Sequence, residues 1–413
     1  MRCLHFHHLC LSILGLALHL SQASITEQLP LLHHGSTGRN VSIQLFAELE
    51  ELARVVDISY CVGLTSFGII KPFRCLSRCA DFPSFDLVTT WNTGPLLSDS
   101  SGYIALDHGK ERLIVAFRGT YSIANTVVDL STIPQEYVPY PGGDDDGSGV
   151  DQDLLDSDSG GASAPKCSNC TVHMGFERAW RNTHARILPD LQQQIYLYPH
   201  YQLHLVGHSL GGAVAALAGL DLLARGWNPT VTTFGEPRIG NSGLVSYIDE
   251  RFILINQDED TDIDAEQLKY RRVTHVDDPV PLLPLGEWGY AMHAGEIFIS
   301  KSNLSPDVQD VQHCVDDNDL ACIAGQDSAV PEEVSEASRQ GSSALKKRDL
   351  LASVRDEVSD VINEPWGIPS RYKLWQLFFA HRDYFWRLGL CVPGGDSTGG
   401  GGKYEPPFIG AQG

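Results

Sequence analysis

One turn in this sequence constrains the fold more than any other feature. It reads Gly207-His208-Ser209-Leu210-Gly211, with a short apolar strand before it and an alanine-rich helix after it. A serine in a G-x-S-x-G pattern between a strand and a helix is typical of a strained turn that exposes the serine hydroxyl. The glycines suit the close approach of strand and helix backbones at such a turn. The alternative interpretation is a purely structural Gly/Ser turn.

Strand and helix patterns alternate along most of the chain. Helical periodicity covers residues 46–58, 175–198 and 213–225. Strand patterns cover residues 102–107, 112–117, 203–206, 230–234, 252–256, 270–276 and 296–300. This alternation predicts an α/β domain in which helices cover a mostly parallel central sheet.

The two ends of the chain and two internal segments differ from this pattern. Residues 1–23 resemble a secretory signal peptide, with Arg2, an apolar run and a small-residue cleavage site. We predict an N-terminal extension at 24–44, one domain at 45–392 and a Gly-rich disordered tail at 393–413. Within the domain we expect a mobile acidic insertion at about 141–165 and a polar insertion at about 325–363. The second contains Lys346-Lys347-Arg348, either a protease processing site or part of a solvated helix.

Charge and hydropathy exclude several classes of function. The net charge of −22 argues against nucleic acid as a partner and disfavours strongly anionic membrane surfaces. The apolar run near the N-terminus is too short to span a bilayer, and no later segment approaches that length. We therefore expect a secreted, extracellular monomer without stable membrane insertion.

The cysteines support an oxidising compartment. Of the ten, Cys3 and Cys10 lie in the signal peptide, which leaves an even number. Three close pairs can each staple a loop and one distant pair remains: Cys75/Cys79, Cys167/Cys170, Cys314/Cys322 and Cys61/Cys391. The C-x-x-C pair is also compatible with a zinc or redox site, but no second ligand pair follows it, and we expect no metal. Glycosylation sequons begin at Asn40, Asn169 and Asn303.

An activated serine needs a base, and the base needs an orienting carboxylate. In α/β-hydrolases these partners follow the serine in the order acid, then histidine. Asp278 ends the strand at 271–276 and precedes Pro279, which holds it extended, and Asp277 is the close rival. The histidines after it are His293, His313 and His381. His381 lies among aromatic residues near Cys391, whereas His293 can simply cap a strand.

The oxyanion of a tetrahedral intermediate needs two aimed N–H donors. One candidate is the amide of Leu210, which follows the serine. The other is Thr120, which follows the strand Ile114-Val-Ala-Phe-Arg118 and the turn at Gly119. The strand exit can equally be an ordinary one in which Arg118 pairs with a carboxylate.

Five motifs in order resemble those of the filamentous-fungal secreted class 3 lipases. They are Phe117-Arg-Gly-Thr120, Val172-His-Met-Gly-Phe176, Gly207-His-Ser-Leu-Gly-Gly212, Thr274-His-Val-Asp-Asp-Pro-Val-Pro281 and Ala380-His-Arg-Asp-Tyr-Phe385. The resemblance spans most of residues 45–392. It implies an α/β-hydrolase fold in which Ser209 is the nucleophile, Asp278 the orienting acid and His381 the base. It also assigns Thr120 to the oxyanion hole beside Leu210.

The same resemblance implies disulfides and a lid. The family has one long-range disulfide, one short N-terminal disulfide and one disulfide within a C-x-x-C pair. The resemblance assigns these to Cys61/Cys391, Cys75/Cys79 and Cys167/Cys170, in that order. A short helical lid follows the oxyanion strand in these lipases. Here it corresponds to Ser122, Ile123, Ala124, Asn125, Thr126, Val127, Val128 and Asp129.

We therefore predict a secreted triacylglycerol lipase that cleaves carboxylic esters through a Ser-His-Asp acyl-enzyme mechanism, without metal or organic cofactor. Its expected partner is a lipid or ester substrate at an oil–water interface. A feruloyl or other soluble-ester esterase, or a phospholipase A1, is the alternative on the same fold. A catalytically silent secreted binding protein is the alternative outside the enzymes.

Overall fold

The computed structural model describes residues 39–63, 68–94, 99–120, 134–140, 167–255, 264–315, 317–326 and 379–393. Several predictions concern residues outside these ranges. They are the signal peptide at 1–23, the lid at 122–129, the insertion at 141–165, most of the insertion at 325–363 with its tribasic run, and the tail from 394.

The described residues contain α-helices α1 Ile43–Ile58, α2 Met174–Leu197, α3 Leu210–Ala224 and α4 Ser242–Phe252. Their strands are β1 Phe85–Asn92, β2 Ser101–Asp107, β3 Arg112–Phe117, β4 Pro134–Glu136, β5 Thr171–His173, β6 Gln202–His208, β7 Thr230–Phe234, β8 Tyr270–His275, β9 Glu296–Ile299, β10 Val311–His313, β11 Asp383–Tyr384 and β12 Trp386–Arg387. Short 3₁₀ turns cover Ser59–Cys61, Arg78–Asp81, Ala265–Gln267, Val280–Leu282, Gly286–Trp288, Val308–Asp310, Ile323–Gln326 and Ala380–Arg382.

The central sheet has the order β1-β2-β3-β6-β7-β8-β9-β10. Strands β3, β6, β7, β8 and β9 are parallel, and β1, β2 and β10 extend the sheet with antiparallel pairs. Strands β4 and β5 form a separate pair, as do β11 and β12. The predicted α/β-hydrolase fold with a mostly parallel sheet is confirmed.

The sheet is buried on both faces, which explains why its central strands are nearly continuous apolar runs. Every residue of β3, β7, β8 and β9 is buried. One core layer joins the sheet to α2, α3 and α4. The other joins it to α1 and the C-terminal segment at 384–391. The carboxyl ends of the parallel strands meet at one edge, where α/β proteins place their ligands.

One predicted strand is wrong. Residues 252–255 are not a strand, because Phe252 ends α4 and Ile253 adopts a left-handed conformation with φ 54°. The run Phe-Ile-Leu-Ile has strand propensity, but α4 begins earlier, where the Asn241 side chain accepts a hydrogen bond from the Leu244 amide. The prediction also missed α4 itself and the edge strands β1 and β10.

The four cysteine pairs are disulfides in the structure. They are Cys61–Cys391, Cys75–Cys79, Cys167–Cys170 and Cys314–Cys322. The first joins the end of α1 to the C-terminal segment across 330 residues, and the other three close short loops. None of the described helices combines the length and apolarity needed to cross a membrane.

The long disulfide should contribute more stability than the short ones. Chain entropy gives about 6 kcal/mol for Cys61–Cys391 and about 2.5 kcal/mol for Cys314–Cys322, because their loops span 330 and 8 residues. We expect the C61S/C391S variant to have a lower urea midpoint than the matched control C314S/C322S. Equal midpoints with equal unfolding slopes would contradict this ordering.

Candidate active site

The turn at Ser209 joins β6 to α3 and holds a strained backbone. Ser209 has φ 58° and ψ −130°, a conformation that non-glycine residues rarely adopt. The surrounding glycines permit it. A Cβ on Gly207 would lie 2.2 Å from the Gly211 carbonyl oxygen, and one on Gly211 would lie 2.3 Å from the Phe117 carbonyl oxygen. The spacing of small residues in the sequence is therefore a packing requirement of this turn.

Asp278 follows β8 and is buried. Its carboxylate accepts hydrogen bonds from the Val280 amide at 2.9 Å, from His381 Nδ1 at 2.9 Å and from the Tyr384 hydroxyl. Burial alone would raise the pKa of Asp278. The nearby His381 and the hydrogen bonds from His381, Tyr384 and Val280 outweigh burial and lower the pKa below its ordinary value. The carboxylate is thus held ionised and pointed at one ring nitrogen.

His381 lies on the 3₁₀ turn Ala380–Arg382 and is fully buried. Because Nδ1 faces the Asp278 carboxylate, it carries the proton of the neutral ring and Nε2 is left as the basic nitrogen. This Nε2 is buried and has no hydrogen-bond partner among the residues that the structure describes. Its lone pair is therefore available to accept a proton.

Gly235 brings the serine turn and the His–Asp pair together. It has φ 59°, and a Cβ there would lie 2.9 Å from Asp278 Oδ2, from His381 Cε1 and from the Tyr384 hydroxyl. The residue before it, Phe234, accepts a hydrogen bond from the Ser209 amide at 2.9 Å. Phe234, which holds the serine turn, is thus directly followed by Gly235, which packs against the His–Asp pair.

The two oxyanion candidates belong to different segments that both lie near the serine. Leu210 is the first residue of α3, so its N–H has no partner inside the helix. In the other segment, a Cβ on Gly119 would lie 2.9 Å from the Ser209 Cβ. Thr120 follows Gly119 directly and is half-buried. Leu210 is therefore next to the serine in sequence, and Thr120 is brought near it by the close approach of Gly119.

The rival residues lie elsewhere. The Asp277 amide donates to His275 Nδ1 at 3.3 Å, whereas the described carboxylate that is hydrogen-bonded to His381 is that of Asp278. His293 contacts the Glu236 carboxylate at 3.2 Å. His313 contacts the Glu266 carboxylate at 2.9 Å and is half-buried. None of these side chains is hydrogen-bonded to the Asp278–His381 pair.

The segment that carries His381 is anchored on α1. Trp386 Nε1 donates to Glu50 at 2.6 Å, and the Gly389 amide donates to Asp57 at 2.9 Å. The Cys61–Cys391 disulfide joins the same segment covalently to the turn after α1. Asp57 is completely buried, and burial raises its pKa to about 6 against the opposing effects of Gly389 and of cations such as Arg78.

Sequence reasoning missed the residues that support this site. Tyr384 follows His381 by three positions in a motif that was recognised, so the spacing His-x-x-Tyr was an available signal. Gly235 carries no sequence signal, because its role depends on contacts between three separate segments. In the sequence, His208 has no role beyond its place in the serine motif. In the structure, its Nε2 contacts the His381 carbonyl oxygen at 2.8 Å.

Two further groups of predicted residues can be located. Among the described residues, Glu296, Cys314 and Cys322 form the one group with metal-ligand spacing, and its two cysteines share a disulfide. The sequon asparagines Asn40, Asn169 and Asn303 are all exposed. Their glycosylation stays a prediction.

The chain is similar in sequence to known lipases. Residues 114–288 match the family model described as lipase (class 3). The chain is 52% identical over 388 residues to the secreted mono- and diacylglycerol lipase 2 of Gibberella zeae, covering 89% of this chain and 87% of that protein. It is 50% identical over 416 residues to lipase A of Sodiomyces alcalophilus, covering 96% and 93%.

A solved structure is similar over nearly the same length. The crystal structure of Lip2 lipase from Yarrowia lipolytica matches 86% of this chain and 97% of its own, with a TM-score of 0.63 and 28% identity. The match therefore extends beyond the residues 114–288 of the family model.

We predict that Y384F lowers kcat about tenfold with little change in KM. The variant removes one hydrogen bond to the Asp278 carboxylate, and the lower end of the roughly 1.5–3 kcal/mol expected for a charged acceptor corresponds to about tenfold in rate. The measurement is hydrolysis of p-nitrophenyl butyrate. The matched control is Y270F, which removes a buried tyrosine hydroxyl from a different carboxylate, Glu236. Equal losses in both variants would contradict a specific effect on Asp278.

We also predict a pH-dependent gain of stability in D57N. The pKa of folded Asp57, about 6, exceeds its ordinary value of 3.8, so the folded wild type binds more protons than the unfolded chain between these pH values. Wild-type stability therefore falls as pH rises from about 4 to about 6, by up to roughly 3 kcal/mol from this group. Urea unfolding of D57N relative to wild type should show the difference growing over that range.

The control for D57N is D107N. Burial would raise the pKa of Asp107, but hydrogen bonds from Arg112 and Ser84 and the Arg112 charge lower it below its ordinary value. Its substitution should therefore become more destabilising, relative to wild type, as pH rises through the acid range. A D57N difference that does not change with pH, or that changes with pH in the same direction as that of D107N, would contradict a raised pKa of Asp57.

Proposed function

Because this chain belongs to the class 3 lipase family, we propose that it is a secreted triacylglycerol lipase whose acyl-enzyme forms on Ser209. Relatives at about 50% identity over most of their length are lipases by name. The chain is accordingly a carboxylic ester hydrolase that needs a lipid ester substrate. The roles of individual residues below are our proposal.

Acylation begins when His381 Nε2 takes the Ser209 hydroxyl proton as the oxygen attacks the ester carbonyl carbon. The Asp278 carboxylate keeps the proton of the neutral ring on Nδ1 and stabilises the imidazolium that forms. The amides of Leu210 and Thr120 donate hydrogen bonds to the carbonyl oxygen as it becomes an oxyanion. His381 then returns its proton to the leaving glyceride oxygen, and the C–O ester bond breaks.

Deacylation uses the same groups in reverse order. A water molecule gives a proton to His381 Nε2 and its oxygen attacks the acyl-enzyme carbonyl carbon. The second tetrahedral intermediate collapses, the proton passes from His381 to Ser209, and the fatty acid leaves. Water and ester are consumed, and one alcohol and one acid are formed, so no further co-reactant is needed.

One observation carries this proposal. His381 has one ring nitrogen hydrogen-bonded to a buried carboxylate and the other buried without a partner among the described residues, and it contacts His208, the residue before the serine of the strained turn. Nε2 of His204 is also buried without a partner, but no carboxylate of the described residues is hydrogen-bonded to that ring, so it is the combination with Asp278 that distinguishes His381. The free nitrogen is what a general base requires.

The substrate class follows from the relatives and the compartment. Mono- and diacylglycerols are a second candidate class, favoured by the name of the relative from Gibberella zeae. Secretion is supported by the relatives named as secreted and by four disulfides in the described part of the chain. Soluble esters and phospholipids remain the substrates of the two alternative enzyme classes.

The proposal predicts that S209A abolishes ester hydrolysis, with a fall in kcat of at least ~10³-fold. The assay is tributyrin below and above its solubility limit, next to monoolein, diolein, triolein, methyl ferulate and a phosphatidylcholine emulsion. The matched control is S101A. Ser101 is as buried as Ser209, at 2% exposure, and its hydroxyl has no hydrogen-bond partner in the described structure. S101A should retain wild-type rates.

The substrate panel separates the candidate functions. Faster hydrolysis of the glycerides than of ferulate and phospholipid supports the proposal, and the ranking of the three oleates identifies the glyceride class. A preference for methyl ferulate or for phosphatidylcholine would replace it with the corresponding alternative. Activity that survives S209A would disprove Ser209 as the nucleophile.

A further inference from the structure

His208, the residue before the nucleophile, faces the C-terminal segment and is only 2% exposed. Its Nε2 lies 2.8 Å from the His381 carbonyl oxygen, and its Nδ1 lies 2.5 Å from the Tyr60 hydroxyl. A carbonyl oxygen only accepts, so the His208 proton is on Nε2 and Nδ1 accepts from Tyr60. The hydrogen bonds therefore run in one direction, from Tyr60 through His208 to the backbone of His381.

The His208 ring also contacts the base directly. Its centroid lies 4.7 Å from that of the His381 ring, with 28° between the planes. Burial, followed by the charge of His381, lowers the pKa of His208 to about 3, and Asp278 and Arg382 are the other charged groups that face it. His208 is consequently neutral at pH values well above 3, so it supports His381 without competing for the serine proton.

Tyr60 lies where the parts of the site converge. It is in the 3₁₀ turn Ser59–Cys61 at the end of α1, next to the disulfide that holds the C-terminal segment. A Cβ on Gly119 would lie 2.4 Å from the Tyr60 hydroxyl and 2.9 Å from the Ser209 Cβ. A Cβ on Gly389 would lie 3.7 Å from the Tyr60 ring. The Tyr60 side chain is thus hydrogen-bonded to the serine motif and lies close to the turn at Gly119 and to Gly389 of the C-terminal segment.

The segment that carries His381, residues 379–391 (the base segment), has little regular structure of its own. The described residues around His381 form one three-residue 3₁₀ turn and two strands of two residues each. Such short elements do not fix a side-chain direction, whereas efficient proton transfer requires the base to be held within a fraction of an ångström. The direction of the His381 ring must therefore be set by contacts from outside the segment.

We propose that Tyr60 and His208 form a positioning pair, which holds the His381 ring in the orientation from which Nε2 takes the Ser209 proton. Asp278 fixes one edge of the ring, while His208 fixes its face and its backbone. The inference rests on the proposed roles of Ser209 and His381. Neither member of the pair exchanges a proton in the reaction.

The test compares Y60F, H208F and H208Q on a soluble ester, p-nitrophenyl butyrate. Y60F should lower kcat about tenfold, the equivalent of one hydrogen bond, while KM changes less than about twofold. H208F keeps a ring against His381 but loses both hydrogen bonds, so kcat should fall about a hundredfold. H208Q offers an amide donor to the His381 carbonyl and should recover about tenfold of that loss. The rate of covalent labelling of Ser209 by a fluorophosphonate should follow the same order.

Two controls separate positioning from general stability. Y103F removes another buried tyrosine hydroxyl that donates at 2.8 Å to a backbone carbonyl, that of Val55, in the core layer beside α1. H204Q alters a second buried histidine of β6 whose pKa is also lowered to about 3, chiefly by burial. Both should lower Tm by amounts similar to the test variants and leave kcat and the labelling rate within about twofold of wild type.

Several results would contradict the proposed positioning role of Tyr60 and His208. One is wild-type kcat in folded Y60F and H208Q. Another is an equal kcat loss in the controls, since the effect would then be loss of stability alone. An H208Q variant no better than H208F would also remove the role of the hydrogen bond to His381. Failure of the proposed function looks different, because S209A would then stay active whatever the pair variants do.

Discussion

The hydrogen bond between His381 and Asp278 is the interaction on which this active site depends. It joins a residue at the end of β8 to one more than a hundred positions later, and both side chains are buried. A buried carboxylate is unfavourable unless it is paired, and the amide of Val280 and the hydroxyl of Tyr384 complete its set of donors. The same contact decides which nitrogen of His381 is free.

Helix α1 supports this contact from the core layer that it shares with the C-terminal segment. It is packed on the central strands, and it holds the base segment through the Glu50–Trp386 hydrogen bond, the buried Asp57 and the long disulfide. Removing an ionised Asp57 from water opposes folding, so this carboxylate lowers the free energy of unfolding above pH 6. The same carboxylate holds the C-terminal segment through its hydrogen bond with the Gly389 amide. Stability and site geometry are therefore coupled through one helix.

Features with a local cause could be predicted and others could not. The serine turn is visible in sequence because strand, glycines and helix are contiguous there, and the cysteine pairs are visible because most are close in the chain. The strand predicted at 252–256 was wrong because local β-propensity was overridden by the preceding helix, which ends at Phe252. Gly235 was invisible, since its lack of a side chain matters only to Asp278 and His381, which are remote in sequence.

The sequence by itself determined the fold class, the family, the position of the serine turn and a short set of partners for it. It did so because periodicity, glycine spacing and motif order depend on neighbouring residues. Tertiary structure decided that Asp278 rather than Asp277 contacts His381, that His293 pairs with Glu236 instead, and that Tyr60 reaches the base through His208. These are distances between distant segments, and only the packed sheet with its covering layers defines them.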